Sequence, residues 1–302
     1  MRPVEPYSDS SLSAQALTPR PFTPGHRLLR SLNEGERLRA TEKTAAALTT
    51  WTGRTVDADS LKILRATPKA QTFLFQSENV PLIAKRHGQM LHYAQEMLAC
   101  MLLTDQAPVP RLLADLEQPR ILITEFIAES FAVIDSASLV QVMQSLAELH
   151  TAPRLRDQSA RVLFPNRRLC DLQNSIEPPA YIVDQTAYRK LLEAMTAFHG
   201  ESYLPFALSD LKGEHLMKKN DKCVFIDLET LRPGVPEFVD LVSVINLLPS
   251  EQGFDFDWSE LLHEYRLRRA NFEEAMSLEL LLHCLKLAAR AFGAPVRYFG
   301  DN

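Results

Sequence analysis

Two short segments hold residue types suited to phosphoryl chemistry. Leu208-Ser-Asp-Leu-Lys-Gly-Glu-His215 places a carboxylate, Asp210, five residues before an imidazole, His215. Val224-Phe-Ile-Asp-Leu-Glu229 places a second carboxylate, Asp227, at the end of an apolar run. The polar tip Lys219-Asn-Asp-Lys222 between the two apolar runs predicts a hairpin. Hairpin strands lie about 5 Å apart, so His215 and Asp227 can meet. Two carboxylates and an imidazole in one cleft suit hydroxyl phosphorylation. One carboxylate orients the attacking hydroxyl and accepts its proton, and the other groups hold magnesium against the phosphates. A surface hairpin with a few solvated charges has the same local composition, and the elements around it must decide between the two.

Those elements fall into two halves. Leu61–Ala66, Gln71–Gln76 and Val80–His87 are short apolar or alternating runs, with turn signals at Pro68-Lys-Ala70 and Ser77-Glu-Asn79. They predict three consecutive antiparallel strands. A helix is expected over Gly88–Thr104, then two more strands over Arg111–Glu117 and Arg120–Ile127 with a turn at Glu117-Gln-Pro119. The first half is therefore a five-stranded sheet with one helix inserted after the third strand. The second half is mainly helical, with an amphipathic segment at Ser138–Pro153 and further helices at Thr186–Gly200, Val239–Pro249, Trp258–Ala270 and Leu278–Phe292. Ahead of the sheet, Ser31–Gly53 reads as a helix. Ser31 or Asn33 would cap it, Gly53 would stop it, and Leu38, Ala45, Leu48 and Trp51 would form its buried face. Met1–His26 is rich in Ser, Thr and Pro and reads as a flexible leader.

Composition narrows the class. The 302 residues are 46% hydrophobic and 24% charged, enough to bury a large core. Thirty-three basic against 38 acidic residues give a net charge of −5, which argues against a nucleic-acid binder dominated by phosphate contacts. Cys100, Cys170, Cys223 and Cys284 are widely spaced and sit in or near apolar runs, so four buried free thiols in a reducing compartment are expected. Nothing approaches the ~20 apolar residues of a membrane span, and the N-terminus lacks the apolar core of a signal peptide. A cytoplasmic protein is the simplest expectation. The leader would also suit a protein delivered into another cell, with a protein partner engaged through that leader.

The motifs together resemble the aminoglycoside phosphotransferase and choline-kinase-like branch of the protein-kinase superfamily. That branch reads H-G-D-L-x-x-x-N-[IL]-L at the catalytic loop and [IV]-D-[WFL]-E at the metal site. Here the strings are Leu208-Ser-Asp-Leu-Lys-Gly-Glu-His-Leu-Met217 and Ile226-Asp-Leu-Glu229. By resemblance Asp210 is the catalytic aspartate, and His215 and Asp227 are the metal ligands. Lys85, in Leu82-Ile-Ala-Lys-Arg86, matches the phosphate-binding lysine, and Glu96 matches its glutamate partner. Glu125, Phe126 and Ile127 fall where backbone groups meet adenine. Leu146–His150 and Glu237–Leu241 match two further segments, with His150 and Asp240 as structural anchors. The resemblance covers about Leu61 to Ala291. It implies an α+β bilobal kinase-like fold: a leader and first helix over 1–60, an N lobe of five antiparallel strands and one helix over 61–127, and a mostly helical C lobe over 128–302. It also implies ATP and Mg2+, a phosphotransferase, and a small-molecule hydroxyl acceptor such as a sugar or amino alcohol.

Three departures bear on the activity. Leu208 replaces the usual His, Ser209 the frequent Gly, and Ala66-Thr-Pro-Lys-Ala70 stands where a glycine-rich phosphate loop is expected. Pro68 has no N–H to donate, and Lys69 offers a charge instead. These departures leave open a kinase-like binding module without turnover. A kinase with a protein or lipid-linked sugar acceptor is a further alternative, and lipopolysaccharide-core sugar kinases share the spacing. Leu228 and Glu229 favour the small-molecule branch, and the short gap from Asp227 to Asp240 leaves no room for a protein-substrate platform. The acceptor segment Arg154–Tyr203 carries no readable motif. Asp255, Asp257 and Glu260 are either an acidic wall for a cationic acceptor or a solvated helix start.

Overall fold

A computed structural model of the chain describes residues 31–151, 168–175, 178–179, 181–199, 204–233, 235–248, 257–269 and 277–294. The leader expected over Met1–His26, residues 154–167 of the acceptor segment, and Asp255 lie outside the described residues.

Strands β1 (Lys62–Ala66), β2 (Ala70–Ser77), β3 (Val80–His87), β4 (Leu112–Leu116) and β5 (Ile121–Glu125) form one antiparallel sheet in the order β1-β2-β3-β5-β4. The pairing of Thr72 with Lys85 and of Lys85 with Leu122 puts these side chains on one face. Phe73, Phe75, Leu82, Ala84, Ile121 and Ile123 point to the other. That second face is covered by α1 (Glu34–Thr52), which precedes the sheet in the chain but shares its core. Asn33 and Glu36 cap α1 reciprocally, each side chain accepting the other's backbone N–H at 2.9 Å, and Gly53 ends it at φ +67°. The buried positions are Ala40, Thr41, Thr44, Ala45 and Leu48. Leu38, expected on that face, is 57% exposed. At 3.6 residues per turn it lies about 120° round the helix from Thr44, beyond the reach of the sheet.

Helix α2 (Met90–Leu103) follows β3 and buries Ala99, Cys100 and Leu103 in the core of the helical half. That core is built by α3 (Ser136–Thr151), α4 (Leu169–Gln173), α5 (Gln185–His199), α6 (Phe238–Ser243), α7 (Trp258–Arg268) and α8 (Leu278–Phe292). Asp257 caps α7 by accepting from Ser259 N–H at 2.8 Å, which is the helix-start reading of that acidic segment. Inserted among the helices are β6 (Glu129–Ser130), β7 (Phe206–Ala207), β8 (Leu216–Lys219), β9 (Lys222–Phe225) and β10 (Arg232–Pro233). β8 and β9 are the expected hairpin. Its two-residue turn places Asn220 and Asp221 at φ +51° and +59°, a conformation these two side chains tolerate. Cys100, Cys223 and Cys284 are buried and Cys170 is half-buried in the short α4; all four are free thiols. Among the described residues no helix is long and apolar enough to cross a membrane.

Candidate active site

The cleft face of the sheet, α2 and the β8–β9 hairpin meet around one lysine. Lys85 leaves β3 toward the cleft, and its Nζ lies 2.6 Å from Glu96 Oε2 on α2. The same ammonium hydrogen-bonds Asp227 Oδ1 and lies 4.0 Å from Glu229 Oε2. Burial opposes the charge on Lys85, and the carboxylates of Glu96, Asp227 and Glu229 more than offset it, so its pKa is held above the usual lysine range. Burial also works against ionised Asp227, but Lys85, His215 and Arg65 together hold that carboxyl well below its ordinary value. Glu96 takes the balance. Burial, partly opposed by Lys85 and reinforced by Asp227 and Glu229, lifts it to about 7.

Asp227 follows β9 in the left-handed conformation (φ +64°), which turns the chain into the Leu228–Thr230 3-10 turn. Its Oδ2 is 3.4 Å from His215 Nε2. His215 closes another 3-10 turn, Gly213–His215, and its carbonyl accepts Ile226 N–H at 2.9 Å, locking the hairpin base. The Nδ1 of His215 is 3.1 Å from the main-chain oxygen of Asp210. The Asp210 carboxylate itself is about one-third exposed and takes an ion pair from Lys212 at 2.8 Å.

The loop carrying Asp210 is tied down from below. Asp240, fully buried, accepts Leu208 N–H at 2.6 Å and Ser209 N–H at 2.8 Å, and its Oδ2 is 3.1 Å from His150 Nε2. His150 Nδ1 in turn meets the Tyr265 hydroxyl at 2.8 Å. Ser209 sits at φ +58° and donates its hydroxyl to Thr230 O at 2.9 Å. The anchor thus acts on main-chain N–H groups of the loop, and Leu208 keeps it.

A cavity of about 500 Å³ opens beside Lys85. Leu64, Ile83, Leu122, Met217 and Ile226 give it apolar walls, and Glu125, Phe126 and Ile127 form its back edge. The Glu125 carboxylate accepts from Lys219 Nζ at 2.6 and 2.7 Å and from Arg111 N–H at 2.9 Å. Behind Lys85, the buried side chains of His87, Glu96 and Glu229 bring ligand-type atoms within 4.8 Å of one another. Their cations are the protein's own: Lys85 at 2.6 Å from Glu96 and Lys69 Nζ at 2.5 Å from Glu229 Oε1.

Of the residues expected from sequence, Lys85, Glu96, Glu125, Ile127, His215 and Asp227 line this one cavity. Asp210 stands beside it, linked through its main chain to His215. Sequence reasoning missed Arg65, whose Nη1 is 3.4 Å from Asp227 Oδ2, and the partnerships of Lys212 and Lys219. A charged side chain inside the apolar run of β1 was the available signal for Arg65.

No family model matches the chain, and no curated protein matches it. Solved structures do. The macrolide 2′-phosphotransferase of Brachybacterium faecium is similar over 81% of this chain and 90% of its own, with a TM-score of 0.51 and 12% identity. An ethanolamine kinase of Plasmodium vivax is similar over 88% of this chain and 89% of its own, with a TM-score of 0.50 and 13% identity. These two structures share the fold of this chain: a five-stranded antiparallel sheet with an inserted helix, followed by a helical region.

Proposed function

We propose that the chain is an ATP-dependent phosphotransferase that phosphorylates a hydroxyl of a small molecule, a sugar or an amino alcohol. The observation that carries this reading is the meeting of Lys85, Glu96, His215 and Asp227 at one cavity, with Asp210 beside it, in a fold shared with two phosphotransferases. The main chain of Glu125–Ile127 and the apolar walls suit adenine. Lys85, oriented by Glu96, binds the α and β phosphates. Asp227 and His215 would hold magnesium. The donor set fits: a carboxylate kept ionised by its surroundings, and an imidazole nitrogen 3.4 Å from it. When bound, that ion supplies charge neutralisation on the phosphate oxygens.

Asp210 orients the acceptor hydroxyl and takes its proton as the acceptor oxygen bonds to the γ phosphorus and the bond to the β–γ bridging oxygen breaks. Lys212 pairs with Asp210 from one side, and the exposed third of the side chain is left for the acceptor. The Leu208 replacement leaves the loop anchored, because Asp240 accepts its backbone N–H groups.

The test is ATP consumption with a panel of sugars and amino alcohols, comparing the wild type with Asp210→Asn. Loss of a general base typically costs about 10²- to 10⁴-fold in rate, and nucleotide affinity measured by calorimetry should persist. Equal turnover by the variant on every accepted substrate would overturn the assignment of Asp210.

A further inference from the structure

Resting on the reading of the cavity as an ATP site, we propose that Arg65 and Lys69 bind the β and γ phosphates with their side chains. They replace the backbone N–H cradle that a glycine-rich turn would supply. The turn from β1 to β2 is only Thr67-Pro-Lys69. The backbone donors of Thr67 and Ala70 are already committed. Thr67 N–H donates to Ala70 O at 3.0 Å, Ala70 N–H to Thr67 Oγ1 at 3.2 Å, and Pro68 has no N–H. The turn is also docked onto the start of α2, because Lys69 O accepts Gly88 N–H at 2.8 Å. Gly88 permits that approach: a Cβ there would fall 2.1 Å from Pro68 O. A turn held in this way keeps the Thr67 and Ala70 amides from a ligand.

Positive charge is placed there by side chains instead. Arg65 lines the cavity with Lys85 and reaches Asp227 at 3.4 Å, and Lys69 reaches Glu229 at 2.5 Å. Both cations are partly exposed, with side chains at 44% and 37%. Their carboxylate partners are mostly buried, at 14% and 6% exposed, so a phosphate competes with these pairs for the two cations. A polyphosphate entering the cleft gives Arg65 and Lys69 new anions to hold, and Arg65 can present its planar fork to two phosphate oxygens. The number of phosphates then sets affinity: triphosphate above diphosphate, with adenosine indifferent to either residue.

Calorimetry of ATP, ADP and adenosine on wild type, Arg65→Gln, Lys69→Gln and the double variant tests this. Melting temperature serves as the folding control. The expected result is a loss of at least tenfold in ATP affinity in the double variant, a smaller loss for ADP, and none for adenosine. A double variant that is folded and binds ATP as the wild type does would overturn the proposal. Glu229→Gln on the Lys69→Gln background separates the roles. If Lys69 only neutralised Glu229, removing that carboxylate would restore ATP affinity and overturn the phosphate role of Lys69, whereas persistence of the loss supports it. A wild type that binds adenosine and ATP equally would overturn this proposal while leaving the adenine site standing. A wild type that binds neither would overturn the ATP reading on which both rest.

Discussion

His87 and Glu96 share a proton problem behind the Lys85 ion pair. The His87 ring is fully buried, and neither ring nitrogen has a hydrogen-bond partner among the described residues; Nε2 is 3.4 Å from Glu96 Oε2. Burial, and then the charge of Lys85, depresses His87 from 6.5 to about 3. Glu96 moves the opposite way, from 4.5 to about 7. Stability depends on pH only where folded and unfolded chains bind different numbers of protons. Between pH 4.5 and 6.5 the unfolded chain carries its proton on His87 and the folded chain on Glu96, so the two effects nearly cancel. Glu96→Gln removes one side of that balance. His87 alone then makes the unfolded state the better proton binder below 6.5, and its contribution to stability is lost as pH falls toward 3. The difference in unfolding free energy between variant and wild type should therefore grow on acidification from pH 6.5 to 4.5, by at most about 1.4 kcal/mol per pH unit. Denaturant melts across that range measure it, and a difference independent of pH would mean that Glu96 stays ionised in the fold.

At the scale of elements, the short helix α6 and the loop bearing Asp210 are one unit because Asp240 accepts two loop N–H groups and faces His150. Asp240→Asn puts an amide N–H₂ where an acceptor oxygen faced a backbone donor. A buried, charge-assisted contact broken on one side costs about 3 kcal/mol, read as a lowered denaturant midpoint, and the displaced loop should lose turnover in parallel. A variant with unchanged stability would show that the charge of Asp240 is not what holds the loop. The elements themselves were legible in the sequence wherever periodicity and turn residues agreed. The five strands, the hairpin with its Asn220-Asp221 tip, and the Asn33 and Gly53 ends of α1 follow from local signals. The face of α1 did not, because several stripes on that helix carry apolar residues and only the sheet beneath selects the one centred on Thr44. The site was legible as an ordered series of residue types. Arg65 meeting Asp227 and Lys219 meeting Glu125 were not, since each joins residues about a hundred or more positions apart that only the closed fold brings together.

Over the whole molecule, two apolar cores stand on either side of the cavity, one under α1 and one among α3, α5 and α8. Helix α1 covers the sheet face that carries Phe73, Phe75, Leu82, Ile121 and Ile123. A chain starting at residue 58 would leave that face bare, and contiguous exposed apolar surface of this kind drives association. Size-exclusion chromatography should find it aggregated, and a monomer melting at the wild-type temperature would show that the sheet does not need the helix. The link from the sheet to the helical half passes through Glu125, whose carboxylate is gripped by Lys219 of the hairpin and by the Arg111 amide of the sheet. Covalent chain and ion pair therefore cross between the halves at the same place. A relative motion of the two halves that kept this pair would pivot near residue 125 and would have to part Asp227 from Arg65 and Lys85.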